Sequence, residues 1–498
     1  MDTNRSATAT ANRDRATAPT GATTPSERKL LGHPRALAYL VSLEFWERFS
    51  YYGMQSILAL YIYYSVTDGG LGLSEAVAIG VVGSYGASVY FATVAGAWLA
   101  DRVVGAERLM FASGFTIMCG HIALALVPGV PGLALGLILI ALGSGGLIAN
   151  ATGILGGLYR EGDPMREAGF NLFYAGLTSG VALGPILTGF MQTTWGFHAG
   201  FGCAAVGMAI GLILYAFGRS SLPASVNIVP NACSSRTRTA VTISVVAVVA
   251  VVLFAFALGI LTLDNISYWF TGAIGVTLVA YLITILRSDR ITPVERDRVY
   301  SSLPQLFSNV VFYSLLMQVF GAIAVYADQN VNRWIGSWEM PVAWIIGLSS
   351  GVTLVVSLLA TTLWTKMGDR QPSTPTKMGI GLPLIGCSFL MFIPFTNSDS
   401  TPLLYVFLLL LIMAFGEIIF APTGISMSTK LAPAAYRTQM IAVYYLSIGL
   451  GTSLAGVFGQ YYSNVTAYWA VLGGVAITAG IVQLCLGGWV RQRMHGVL

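Results

Sequence analysis

Residues 42–64 read SLEFWERFSYYGMQSILALYIYY, an apolar run long enough to cross a bilayer that nevertheless carries Glu44, Glu47 and Arg48. A lone charge at the membrane centre costs about 2.5–3.5 kcal/mol on insertion scales. Three charges persist in one helix when they pair, face water or do work. Their spacing allows the first. Positions i, i+3 and i+4 share a helical face, so Arg48 can neutralise Glu44 directly with Glu47 beside both. Two acids sharing one base leave a net negative site that can take up a proton, the core of a proton-coupled carrier. A fixed structural ion cluster is the competing reading, and function is favoured because intramembrane ionisable groups usually mark pathways.

The surrounding chain fits a membrane setting. Its 498 residues are 55 % apolar and only 9 % charged, with a mean hydropathy of +0.73, values of a multi-spanning membrane protein and of no soluble class. Taking about 20 apolar residues per crossing, the sequence divides into fourteen spans: 34–64, 74–100, 108–128, 131–158, 167–193, 198–218, 239–263, 266–286, 303–327, 341–365, 377–395, 402–429, 436–462 and 466–490.

The basic residues test this division. Of 26 Lys and Arg, 24 fall in the tails or on the side that holds the N-terminus, leaving Arg48 inside the membrane and Arg333 on the opposite side. Such asymmetry obeys the positive-inside rule, so both termini are expected in the cytoplasm of a plasma-membrane protein. The net charge of +5 therefore reports topology and not nucleic-acid binding. Residues 1–33 read as a disordered cytoplasmic tail without the apolar core of a secretory signal. The five cysteines are dispersed and odd in number, which does not indicate a disulfide framework. No metal-ligand spacing, nucleophile arrangement or cofactor motif is visible, so neither a cofactor nor an enzyme is expected.

The spans group as six, two and six. An N-terminal bundle covers 34–219, a linker with two very apolar extra helices covers 220–298, a C-terminal bundle covers 299–490, and 491–498 form a short tail. GAWLADRVVGAER (96–108) and LWTKMGDRQPSTPTK (363–377) occupy equivalent turns of the two halves, as expected of repeats around a central site. Asp101 at such a turn can hold a neighbouring helix N-terminus or an Arg, making Asp101 and Arg102 a candidate latch. Gly416 and Pro422 suggest a hinge in the span 402–429, since Pro removes a backbone hydrogen bond.

Several motifs then occur in a fixed order: Glu44-Phe-Trp-Glu47-Arg48-Phe-Ser-Tyr51-Tyr52-Gly53, Asp101-Arg102, Gly169-Phe-Asn-Leu-Phe173-Tyr174, Gln371-Pro-Ser-Thr-Pro-Thr-Lys377, and Gly416-Glu417 with Ala421-Pro422-Thr-Gly424. In this order the chain resembles the proton-dependent oligopeptide transporter family of the major facilitator superfamily, from about residue 34 to 490. The inserted helix pair resembles bacterial members. The resemblance implies an all-α major facilitator fold and proton-coupled symport of di- and tripeptides by alternating access, in a monomer whose partners are peptide, protons and membrane lipid. Glu44, Glu47 and Arg48 would couple the proton, and Arg48 would alternate between an acid and the peptide C-terminus. Glu417 would receive the peptide's amino group. Tyr52, Tyr90, Asn150, Tyr174, Thr178, Gln318 and Tyr444 would line the same cavity, although a helix-packing hydrogen bond is an equal reading of Asn150.

The chain also departs from the family pattern. Ile148 stands where a lysine is common, Thr178 where an asparagine is common, and Tyr444 where a tryptophan is frequent. Gln55 and Met317 replace an Arg and a Glu that in relatives pair at the outer gate. Losing both avoids the roughly 3–5 kcal/mol penalty of stranding one buried charge, and the outer gate is then expected to close by packing. Losing the lysine leaves Arg48 as the only recognisable base near the two acids. These changes keep a second reading open: a proton-linked carrier or exporter of a modified peptide or of a non-peptide, amino-bearing solute.

Overall fold

The computed structural model describes residues 29, 30, 32–159, 163–229, 231–367, 370–398 and 400–496. Most of the expected N-terminal tail, Arg160, and Gly368 and Asp369 of the second repeat turn lie outside the described residues. Fifteen α-helices follow in order among them: α1 (Arg35–Tyr63), α2 (Glu75–Leu99), α3 (Ala106–Leu126), α4 (Gly129–Gly157), α5 (Met165–Trp195), α6 (Phe197–Gly218), α7 (Ser235–Ala257), α8 (Ile266–Leu286), α9 (Pro293–Leu316), α10 (Ala322–Asn330), α11 (Val342–Met367), α12 (Thr374–Leu390), α13 (Leu403–Lys430), α14 (Arg437–Phe458) and α15 (Val465–Arg493).

A short 3-10 turn, Met317–Phe320, joins α9 to α10, so these two form one crossing from Pro293 to Asn330. Twelve helical segments among the described residues are long and apolar enough to span a membrane. The remaining two expected spans are α1, whose 29 residues carry Arg35, Glu44, Glu47 and Arg48, and α11, whose apolar part is Val342–Ser357.

One boundary differs from expectation. The charged stretch before residue 303 opens α9 ten residues early, at Pro293. A capping box explains this: Thr292 accepts from the backbone of Glu295, and the Glu295 carboxylate returns to the backbone of Thr292. Pro293 fills the first helical position, where no N–H is needed.

The halves repeat one packing scheme. α1 lies on α5 and α6 as α9 lies on α14 and α15, and α3 lies on α4 and α6 as α12 lies on α13 and α15. Across the seam, α2 meets α14 and α5 meets α11, which are again equivalent pairs. These cross-seam contacts crowd toward the ends of the helices away from the basic loops. A side chain on Gly83 would fall 2.5 Å from the Gly456 nitrogen, one on Gly189 would fall 2.7 Å from Ala343 Cβ, and the Trp344 indole donates to the Ile186 carbonyl at 2.8 Å. Toward the basic loops, Gly153 and Gly157 of α4 face open space. The two halves therefore close on one side and part on the other. α8 packs on α2 and α14, whereas no described α7 side chain is buried.

Candidate functional site

Helix α1 is placed by a run of small residues on α5. Gly176, Gly180, Gly184 and Thr188 recur every four positions, on one face. A Cβ on Gly180 would stand 2.3 Å from the Phe45 carbonyl oxygen and 3.1 Å from Arg48 Cβ, so only glycine lets the two backbones approach this closely. That contact fixes where Arg48 projects.

Glu44 and Glu47 are buried, and Arg48 Nε lies 3.2 Å from Glu47 Oε2 and 3.8 Å from Glu44 Oε2. Neither contact has hydrogen-bond geometry, and Arg48 makes no hydrogen bond among the described residues. Its guanidinium is held by charge alone. Ser144 on α4 donates to Glu47 Oε1 at 3.5 Å, a partner that no motif in the sequence flags.

Aromatic residues extend the site across the seam. The Tyr52 ring stands 5.7 Å from Phe320 of the C-terminal half and lies within electrostatic reach of Arg48, Glu47 and Glu417. Tyr90 lies within electrostatic reach of Arg48, Tyr52, Tyr444 and Tyr445. Tyr174 reaches Tyr444 and Tyr445, and the Tyr313 hydroxyl adjoins that of Tyr444 while facing Glu417. Glu417, half-buried on α13, makes no hydrogen bond or ion pair among the described residues. One base and one unpartnered acid thus share an aromatic cleft built from both halves. Sequence reasoning missed Ser144, Tyr313 and Tyr445, although the Tyr444-Tyr445 pair mirrors Tyr51-Tyr52 and was a legible signal.

Other expected residues behave differently. Gln318 is wholly buried and fully engaged. Its amide donates to the carbonyls of Ser314 and Ala455, and its oxygen accepts from the Tyr468 hydroxyl at 2.8 Å. It braces the C-terminal half and is not free for a ligand in this state. Asn150 is buried with its amide donating to the Gly146 carbonyl at 2.6 Å, a bond within its own helix. Thr178 is half-buried, one turn from Tyr174, to whose carbonyl its hydroxyl donates at 2.8 Å.

Asp101 and Arg102 are exposed on a π-helical turn, and neither side chain forms an ion pair among the described residues. Their carbonyls instead accept from the backbone N–H groups of Asn231 and Cys233, so in this state the turn anchors the connector. Gly416 allows close packing, since a Cβ there would sit 2.6 Å from Ile385 Cγ1 on α12. Helix α13 runs unbroken through Pro422.

The outer closure also departs from expectation. Gln55 is buried and forms no ion pair, as packing alone would have it. Further out, however, a polar clamp joins the halves. The Asp328 carboxylate accepts from the hydroxyls of Tyr63 and Tyr64, the latter at 2.9 Å, and lies 3.2 Å from Arg333. Arg333 also meets Glu339 at 2.7 Å and donates to the Met340 carbonyl at 2.7 Å. A two-residue hairpin, with Gly336 at φ 66°, brings Arg333 and Glu339 together. Alongside, Gln329 donates to Glu75 of α2 at 2.6 Å.

Two six-helix halves, closed at one face and parted at the other around buried charges, define an alternating-access membrane transporter. The sequence profile described as the POT family matches residues 107–475, and the chain belongs to that family. It is 34 % identical to the uncharacterized transporter YclF of Bacillus subtilis (strain 168), with 95 % of this chain and 97 % of YclF aligned. It is 33 % identical to the di-/tripeptide transporter of Lactococcus lactis subsp. cremoris over 95 % and 99 % of the two chains. A crystal structure of a peptide transporter POT in complex with sulfate superimposes with a TM-score of 0.90 at 35 % identity, covering 94 % of this chain and 98 % of the other. The family is made up of transporters, and the fold is that of the major facilitator superfamily.

Proposed function

We propose that this chain carries di- and tripeptides inward with protons, as a monomer in the plasma membrane with both termini cytoplasmic. Its moving parts are the halves 34–219 and 299–490. One observation supports this most: among the described residues Arg48 makes no hydrogen bond and Glu417 neither a hydrogen bond nor an ion pair, and both lie within electrostatic reach of Tyr52. A peptide is a zwitterion whose carboxylate suits the planar fork of Arg48 and whose ammonium suits Glu417.

Coupling follows from charge balance. Glu44 and Glu47 share one guanidinium, and a buried ion without a counter-charge is costly. When a peptide carboxylate draws Arg48 away, the acids lose their base and a proton replaces it. When the proton leaves toward the basic side, Arg48 returns to the acids and the peptide is released. The membrane potential supplies about 2.3 kcal/mol per charge per 100 mV for this cycle. The parted face, on the side of the basic loops, opens to the cytoplasm under the positive-inside rule.

The loss of a basic residue at Ile148 points toward the second reading, a non-peptide solute bearing an amino group. The Lactococcus relative's name as a di-/tripeptide transporter favours the peptide.

Counterflow in proteoliposomes tests the proposal. Labelled dialanine should exchange against unlabelled dialanine, an N-acetylated dipeptide should not compete, and Glu417→Gln should abolish that discrimination. Binding without exchange would overturn transport, and competition by simple amines but not by peptides would overturn the peptide assignment. Glu44→Gln and Glu47→Gln should each alter the profile of uptake between about pH 5 and 8; identical profiles in both would remove this cluster as the coupling centre.

A further inference from the structure

Between the exposed helix α7 and the N-terminal half lies a cleft of about 780 Å³, lined by Leu99 of α2, Leu109 of α3, Leu137 of α4, and Val241, Val248 and Phe256 of α7. Its volume falls within the roughly 300–1,000 Å³ of sites that hold ligands. Along α7 the lining runs from Val241 to Phe256, about 22 Å at 1.5 Å per residue. One leaflet of the hydrocarbon core is about 15 Å deep, so the cleft lies at the depth of acyl chains. Almost nothing polar faces it apart from a few serine hydroxyls such as Ser244.

The end of this cleft toward the basic loops is strongly positive. Arg102 follows Leu99 by three residues, Arg108 immediately precedes Leu109, and Arg236 and Arg238 stand in the first turn of α7 ahead of Val241. All four are exposed, and none forms an ion pair among the described residues. The bonds from Asn231 and Cys233 to the carbonyls of Asp101 and Arg102 tie the start of α7 to the α2–α3 turn, which gathers these side chains at one mouth. Asp101 is the single acid among them, because Glu107 is already bound by Arg219 at 2.6 Å. The α7 N-terminus adds the positive end of its dipole, with Ser234 capping it.

We propose that this cleft is a binding site for an anionic phospholipid of the leaflet on the basic side, with an acyl chain between α7 and the α2–α4 face and the phosphate among Arg102, Arg108, Arg236 and Arg238. Apolar depth and a cationic mouth on one leaflet match the two parts of such a lipid, as basic pockets between helices do generally. The extra helix pair thereby gains a role besides spacing, and this inference does not depend on which solute is carried.

Native mass spectrometry of the full chain in detergent, with equal dioleoyl-phosphatidylglycerol and dioleoyl-phosphatidylcholine added, reads the site directly. Wild type should retain one phosphatidylglycerol in preference. Arg108→Gln/Arg236→Gln/Arg238→Gln should retain it about a hundredfold less, whereas Arg290→Gln/Arg437→Gln, on the same membrane face but outside the cleft, should match wild type. Val248→Trp, which fills the cleft and leaves every arginine, should also expel the lipid. Equal retention of both lipids by wild type, or equal loss in both arginine variants, would overturn the site. So would full retention in Val248→Trp, which would leave only headgroup attraction.

Discussion

Replacing Asp328 with Asn keeps the size of the side chain and removes its charge, and the consequence can be worked from the outer clamp. Asp328 and Arg333 are only 10 % and 11 % exposed, so solvent screens them weakly. The carboxylate receives two tyrosine hydroxyls and one guanidinium. Hydrogen bonds to a charged group contribute about 1.5–3 kcal/mol each, and an amide retains part of each contact. A net loss of about 2 kcal/mol from the outer-closed state is the central expectation. Because the clamp joins Tyr63 and Tyr64 of the N-terminal half to the C-terminal half, it exists only while the outer face is shut. That loss shifts the closed-to-open ratio about thirtyfold toward outer-open. Spin labels at Val66→Cys and Ile335→Cys, both exposed, would report the change in a background lacking the native cysteines. Double electron–electron resonance should show a longer-distance population in Asp328→Asn that is minor in the parent. Identical distance distributions, with an unchanged KM for uptake, would refute the clamp as a determinant of the closed state.

Three further outcomes follow from the packing. Gly180→Ala should lower thermal stability by about 1–3 kcal/mol, because the new Cβ would meet the Phe45 carbonyl at 2.3 Å; Gly153→Ala, facing open space, is the matched control, and equal melting temperatures in detergent would contradict the account. Arg219→Ala strands the buried Glu107 carboxylate and loses the contact of the guanidinium with the Phe111 ring at 4.1 Å. With Arg219 36 % exposed, the roughly 3–5 kcal/mol of a fully buried pair falls to about 1–3 kcal/mol, and Glu107→Gln with Arg219→Gln should restore part of the melting temperature. Ser144→Ala should change the pH profile of uptake while leaving peptide affinity at saturating proton concentration intact, since Ser144 touches Glu47 and not the substrate cleft; a changed affinity with an unchanged profile would place Ser144 elsewhere.

Helix number, and which helix ends share a face, were legible because each is written locally. An apolar run records its own length, and 24 basic residues on one side record which ends of the helices share a face. The grouping of Glu44, Glu47 and Arg48 was equally local, since i, i+3 and i+4 meet on any α-helix. Even the early start of α9 had a local sign, the capping box of Thr292 and Glu295, beneath a charged stretch that reads as a loop.

What the tertiary structure alone decided involves residues far apart in the chain. Ser144 reaches Glu47 across 97 positions, and Tyr64 reaches Asp328 across 264. No periodicity encodes such meetings, which depend on how whole helices cross. The same distinction separates Glu417 from Gln318. Both are polar residues in apolar spans, but Gln318 finds Tyr468 and backbone carbonyls inside its own half, while Glu417 has no hydrogen-bond or ion-pair partner among the described residues. Sequence shows that a polar group is in the membrane; only the packing around it shows whether its bonding capacity is already spent.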